Sequence, residues 1–150
     1  VDPKPGYLAP LLEEIVDEFR TSHASVDWEL SFKSQIPGTR FDSEAMRRAL
    51  LNVMTNAAQA LELTEQAQVR LEVEHMRNQG VIRISVIDNG PGLSPEEGDR
   101  LFEPYFSKRT GGTGLGLAIV KSIISDHQGY VRYRPADPTG TIIEMEIPMN

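Results

Sequence analysis

Residues 81–92 read Val81-Ile82-Arg83-Ile84-Ser85-Val86-Ile87-Asp88-Asn89-Gly90-Pro91-Gly92. An apolar, β-branched run ends on a carboxylate and then breaks into Asn-Gly-Pro-Gly. The run predicts a buried strand, because β-branched side chains fit a pleated surface and a short apolar run suits a covered sheet. The break predicts a sharp turn.

Upstream, Val69, Leu71 and Val73 alternate with charged residues, and Asn78-Gln79-Gly80 offers a hairpin turn between the two runs. Further back, residues 45–61 form a long apolar-rich helix, with Phe41-Asp42-Ser43 as its N-cap region. Trp28, Leu30 and Phe32 alternate as a half-buried strand closed by Pro37-Gly38. Leu11, Leu12, Ile15, Val16 and Phe19 give residues 8–22 a helical stripe. Residues 1–10, with Pro3, Pro5, Gly6 and Pro10, read as a linker, and 11–150 as one domain. Downstream, residues 88–114 are rich in Gly, Pro and Ser. Leu115 to His127 is helical, and Val131–Tyr133 and Thr141–Ile147 are strands around a turn at 137–140. Strands arriving in consecutive pairs favour antiparallel pairing over repeated βαβ units. The expected fold is α+β: a two-layer sandwich with a mixed, mostly antiparallel sheet and helices on one face.

The bulk numbers fit one soluble domain and narrow its partners. The chain has 150 residues, enough for one sizeable core. Lys+Arg is 15 against Asp+Glu 22, a net charge of -7, which argues against nucleic acid. Any anion must therefore bind in a local positive pocket. No cysteine is present, so disulfides, thiolate zinc sites and a Cys nucleophile are excluded. No stretch approaches the ~20 apolar residues of a membrane span. The expectation is a cytoplasmic fragment without membrane contact, any anchor lying outside it.

Four features carry chemistry. Asn52 and Asn56, four apart, project from one helix face. An amide oxygen suits Mg²⁺ when phosphates already supply charge, although surface amides have the same spacing. Asp88, at the end of a buried strand, can accept a hydrogen bond from the exocyclic amine of adenine. Guanine would oppose it with a carbonyl. Gly90 and Gly92 let a flat ligand approach, though Asp-Asn-Gly-Pro-Gly is also plain turn chemistry. Gly111-Gly112-Thr113-Gly114-Leu115-Gly116-Leu117 leads into a helix, and N–H groups there make a phosphate cradle or else a hinge. It is no Walker A loop, since no Lys-Ser/Thr follows the glycines. The loop between the last two features spans about 20 residues, the length of a lid. Within it Leu101-Phe102-Glu103-Pro104-Tyr105-Phe106 would anchor on the body, and Lys108 and Arg109 could reach phosphate.

Taken together, the chain resembles the catalytic, ATP-binding domain of bacterial two-component sensor histidine kinases, within the gyrase, Hsp90, histidine kinase and MutL superfamily. Residues 52–57 resemble its N box, 88–92 its first glycine box, 101–106 its F box and 112–116 its second glycine box. The resemblance covers nearly the whole chain and implies the Bergerat ATP-binding fold with a lid. It implies Mg·ATP as ligand, with ADP as product. Asn56 would coordinate Mg²⁺, with Asn52 supporting the metal-phosphate region. Asp88 would bind adenine in a pocket shaped by Gly90 and Gly92. Gly112, Thr113, Gly114, Leu115 and Gly116 would wrap the phosphates, and Lys108 would reach them from the lid. In ATP-hydrolysing members the residue four before the metal-binding Asn is a Glu that activates water. Asn52 cannot take that proton, which argues for a kinase.

The resemblance also implies absent parts. The acceptor histidine belongs on a dimerisation domain, which residues 1–10 would follow, and a response regulator is the downstream partner. His23, His75 and His127 do not fit the acceptor pattern and read as structural or solvated, His127 at a helix C-terminus where the dipole favours it. The isolated fragment is then not expected to autophosphorylate. The 56–60 segment and the short lid ending in Lys108-Arg109-Thr110-Gly111-Gly112 look most like nitrogen-regulation-type sensor kinases. A nucleotide-sensing module and an anti-sigma-type serine kinase remain open on the same boxes.

Overall fold

The computed structural model describes residues 1–106 and 114–149. The chain runs β1 (Lys4–Gly6), α1 (Leu8–Ser22), β2 (Asp27–Phe32), β3 (Thr39–Phe41), α2 (Ser43–Ala60), β4 (Gln68–Met76), β5 (Val81–Asp88), α3 (Pro95–Arg100), α4 (Gly116–Asp126), β6 (Tyr130–Pro135) and β7 (Thr141–Pro148). Among the described residues five strands form the main sheet, in the order β2-β4-β5-β7-β6. β4, β5, β7 and β6 pair antiparallel, and β2 runs parallel to β4. The parallel pair follows from the connection: α2 lies between β2 and β4 and carries the chain back, as a crossover must. The chain is therefore a two-layer sandwich, α1 packing on β2, α2 on β5, and α4 on β6 and β7.

The helices bury the stripes their spacing predicts. Leu8, Leu12, Ile15, Val16 and Phe19 of α1 are buried, as are Met46, Ala49, Leu50, Val53, Met54 and Ala57 of α2. They meet Leu71, Val73, Ile82, Ile84, Val86, Met145 and Ile147 of the sheet. Each fully buried aliphatic chain of this size contributes about 1.5–3 kcal/mol. Asp42 caps α2, its Oδ1 accepting from Ala45 N at 3.0 Å. The outer face of the sheet is ionic. Glu146 lies between Arg83 and Arg132, each at 2.7 Å, and Glu144 accepts from Arg134 at 2.9 Å.

Two details depart from the expectations. Residues 4–6, read as linker, pair antiparallel with residues 39–41 as a short ribbon. Three-residue strands containing Pro and Gly give no alternation to detect. The Gly/Pro-rich stretch holds a helix, α3, with a capping box between Ser94 and Glu97. A Cβ on Gly98 would stand 2.6 Å from Tyr133, so α3 lies close on β6. His127, by contrast, takes one of the two roles expected of it, a structural one. Its Nε2 accepts from Asp42 N at 3.0 Å while Nδ1 donates to Ile123 O at 2.8 Å. Only a neutral imidazole can do both, and it ties the end of α4 to the cap of α2.

Candidate functional site

α2 carries a polar edge beside its buried stripe. Asn52, Thr55, Asn56 and Gln59 recur at helical spacing along it, and all four line one cavity of about 990 Å³. The opposite wall comes from the end of β5. Asp88, 5% exposed, and Asn89, Gly90, Pro91 and Gly92 line the same cavity, with Leu93 beyond them. Asp88 Oδ1 accepts from Gly90 N at 2.9 Å, and Thr141 N across the β5–β7 pair also donates to the carboxylate. Burial pushes the Asp88 carboxyl above the usual range, against the pull of those two N–H groups.

The glycines bring backbone close to these walls. Gly140 has φ +116°, and a Cβ there would sit 1.9 Å from Asp88 O, so only glycine fits behind the carboxylate. Gly114 has φ +72°, and its Cβ would fall 2.4 Å from the Tyr105 carbonyl carbon. The Tyr105 N–H donates to Gly114 O at 2.8 Å, which joins the two described ends of the lid. Leu101 and Phe106 line the cavity, and Leu101 and Phe102 pack on the core, as the aromatic patch suggested. Arg100 stands over the Phe106 ring at 4.7 Å. Tyr105 instead is 79% exposed.

Gly116, the first residue of α4, and Leu117 complete the cavity wall. Leu115 is the N-cap of α4 and provides no side-chain cap, leaving the helix start to main-chain groups. Of the residues picked from sequence, Asn52, Asn56, Asp88, Gly90, Gly92, Gly114 and Gly116 share the cavity, and Leu115 adjoins it. Lys108, Gly112 and Thr113 lie outside the described residues. The sequence reading missed Thr55, Gln59, Glu62, Leu63, Thr64 and Thr141, which also line it. The helical spacing of Thr55 and Gln59 with the two Asn residues was a usable signal. Thr141 reaches Asp88 only through strand pairing, which no linear spacing reveals.

Among the described residues no three His, Cys, Asp or Glu side chains cluster to cage a metal. The amides of Asn52 and Asn56 are neutral oxygen donors. Such a donor set fits Mg²⁺ that takes most of its ligands from phosphates and water.

Residues 41–150 match the histidine kinase-, DNA gyrase B-, and HSP90-like ATPase family. The chain belongs to that family. Within these ATPases the relatives are sensor kinases of two-component signalling, as the boxes suggested. The nitrogen regulation protein NtrY of Azorhizobium caulinodans is 36% identical over 141 residues, covering 89% of this chain and 18% of NtrY. The mycobacterial sensor histidine kinase MprB superposes with a TM-score of 0.86 at 28% identity, covering 100% of this chain and 99% of that structure. Full-length ShkA, solved in complex with AMPPNP, superposes at 0.83 with 29% identity over 98% of this chain and 31% of ShkA. The chain thus spans about a fifth of NtrY, and it corresponds to the ATPase domain of such kinases. No helix among the described residues is long and apolar enough to cross a membrane.

Proposed function

We propose that this ATPase-family domain holds Mg·ATP in the cavity and supplies its γ-phosphoryl group to a histidine on a separate dimerisation domain. The observation that carries the reading is that Asp88 and Asn56 line one cavity whose wall continues to the start of α4. In this reading the Asp88 carboxylate accepts from the adenine amine, and Gly90 and Gly92 admit the flat base. The glycines at the start of α4, Gly112, Gly114 and Gly116 with Thr113 and Leu115, would offer N–H groups to the phosphates at the helix N-terminus. Lys108 reaches the phosphates from the lid. Asn56, supported by Asn52, holds Mg²⁺, which when bound neutralises phosphate charge. The similarity to ShkA, whose structure contains the ATP analogue AMPPNP, supports the ligand.

Transfer then needs alignment more than covalent chemistry from this chain. The lone pair of the acceptor imidazole forms an N–P bond at the γ-phosphorus. The bond from that phosphorus to the bridging oxygen breaks, and ADP leaves with the electron pair. Asn52 cannot act as general base toward water, which favours transfer over hydrolysis. Two of the three histidines of the chain are engaged in the fold. Both His127 nitrogens are bonded, and His23 stacks on Phe19 at 4.8 Å. In this reading the acceptor is supplied by the separate dimerisation domain, and the output passes to a response regulator in the cytoplasm.

The test combines calorimetry with transfer. Mg·ADP should bind, Mg·GDP should bind far more weakly, and Asn56→Ala should remove the Mg²⁺ dependence of tight binding. Adding a cognate dimerisation domain and labelled ATP should place label on histidine, acid-labile and alkali-stable. Binding without any transfer would leave a sensing module; equal affinity for both purines would remove the role given to Asp88.

A further inference from the structure

We infer that Asn89 is a positioning residue for the nucleotide, its carboxamide clamping together the two loops that wall one end of the cavity. The inference rests on the nucleotide reading above. One wall is the α2–β4 connection, which contributes Glu62, Leu63 and Thr64; the other is the turn after β5, with Gly90, Pro91 and Gly92. Asn89 opens the second, and its side chain bonds across to Gln66 and Gln68 at the end of the first.

The bonding is specific to a carboxamide. Asp88 lies opposite Val69 in the β4–β5 ladder, so Asn89 lies opposite Gln68. A continued antiparallel ladder would exchange two main-chain bonds at that pair. Asn89 N does donate to Gln68 O, at 3.3 Å. The return bond differs: Gln68 N donates to Asn89 Oδ1 at 2.8 Å. The side-chain carbonyl takes the place of the main-chain one, so the backbone can leave the sheet at Gly90 without abandoning the Gln68 N–H. The other end of the amide is also used, Nδ2 donating to Gln66 O at 3.0 Å. Gln66 is held at φ +53°, a conformation uncommon for a side-chain-bearing residue. One group must therefore accept from residue 68 and donate to residue 66 at once. Asp cannot donate and Ala can do neither. Asp88 precedes this clamp by one residue, so the clamp sets where its carboxylate stands relative to the opposite wall.

The experiment measures Mg·ADP and Mg·GDP affinity by calorimetry for the wild type, Asn89→Ala and Asn89→Asp, well below each melting temperature. Exchange of the Gln68 amide hydrogen is followed alongside. Asn89→Ala should weaken ADP binding about tenfold, the scale of one or two lost hydrogen bonds. It should narrow the ADP-over-GDP preference and expose the Gln68 amide to exchange. Asn89→Asp keeps the acceptor for Gln68 and loses the donor to Gln66, so its affinity should fall between the two. A merely structural role would lower the melting temperature yet leave affinity and purine preference of the folded protein at wild-type values, and that result would overturn the inference. Should Asn89→Ala not fold, wild-type affinity and preference in Asn89→Asp would overturn it equally. A wild type that binds no adenylate would instead overturn the nucleotide reading on which the inference stands.

Discussion

Burying the Asp88 carboxylate comes at the expense of the fold. Its carboxyl is buried at the end of β5, and burial raises its pKa despite two donated N–H groups. A folded-state pKa above the unfolded one means that the folded chain binds the proton more tightly. The associated stability is present below the unfolded value of about 3.9 and is lost as pH rises through the folded pKa. Asn at this position keeps a carbonyl for Gly90 and Thr141 but carries no charge to desolvate. Asp88→Asn should therefore melt higher than the wild type at pH 7 without ligand, and the gap should close as pH falls toward 4. The same variant turns an acceptor toward a partly donor amide and should bind adenylates much more weakly. Thermal melts across pH, paired with calorimetry, check both halves; a lower melting temperature at pH 7 would mean that the two N–H bonds outweigh burial. Gly140→Ala acts from behind the same carboxylate. A Cβ placed 1.9 Å from Asp88 O cannot be accommodated without moving β5 or the 137–140 turn. It should cost more than about 1 kcal/mol in denaturant melts and weaken nucleotide binding too.

At the scale of elements, α2 and α4 pack on each other beside the cavity, and one imidazole adds a polar tie between them. His127, 7% exposed, joins the last turn of α4 to the residue that caps α2. His127→Ala would strand the Asp42 N–H and return Ile123 O to its helix bond alone. The expected loss is about 1–3 kcal/mol, the cost of unsatisfied buried groups, read as a lower urea midpoint with an unchanged slope. Long elements were legible from sequence because periodicity accumulates: Leu12, Ile15, Val16 and Phe19 declare a helix, and Val69, Leu71 and Val73 a strand. β1 and β3 were not, since three residues cannot repeat a pattern, and their pairing joins residues 4–6 to 39–41 across the whole of α1. The parallel β2–β4 pair was likewise hidden, because alternation marks a strand without marking its direction.

Across the whole molecule, the cavity was legible where one stretch of chain supplies both a functional group and its geometry. Asn52 and Asn56 share a helix face, and Asp88 ends the strand that aims it. Thr141 and the Asn89 clamp were not legible, because they depend on which strand lies beside β5 and on a loop residue 23 positions away from Asn89 in sequence. A ligand held at once by α2, α4, β5 and β7 would couple its binding to global stability. If one nucleotide binds the folded state alone, Mg·ADP at ~100 times its dissociation constant adds about 2.7 kcal/mol. For a chain of this length each kcal/mol moves the midpoint by roughly 2–4 °C, so the melting temperature should rise by about 5–10 °C. The rise should be smaller with Mg·GDP, and in Asn56→Ala it should no longer depend on Mg²⁺. A saturating adenylate that left the midpoint within about 1 °C would mean binding too weak or too local to use this frame. The walls from α2, β5 and α4 would then not close on a single ligand.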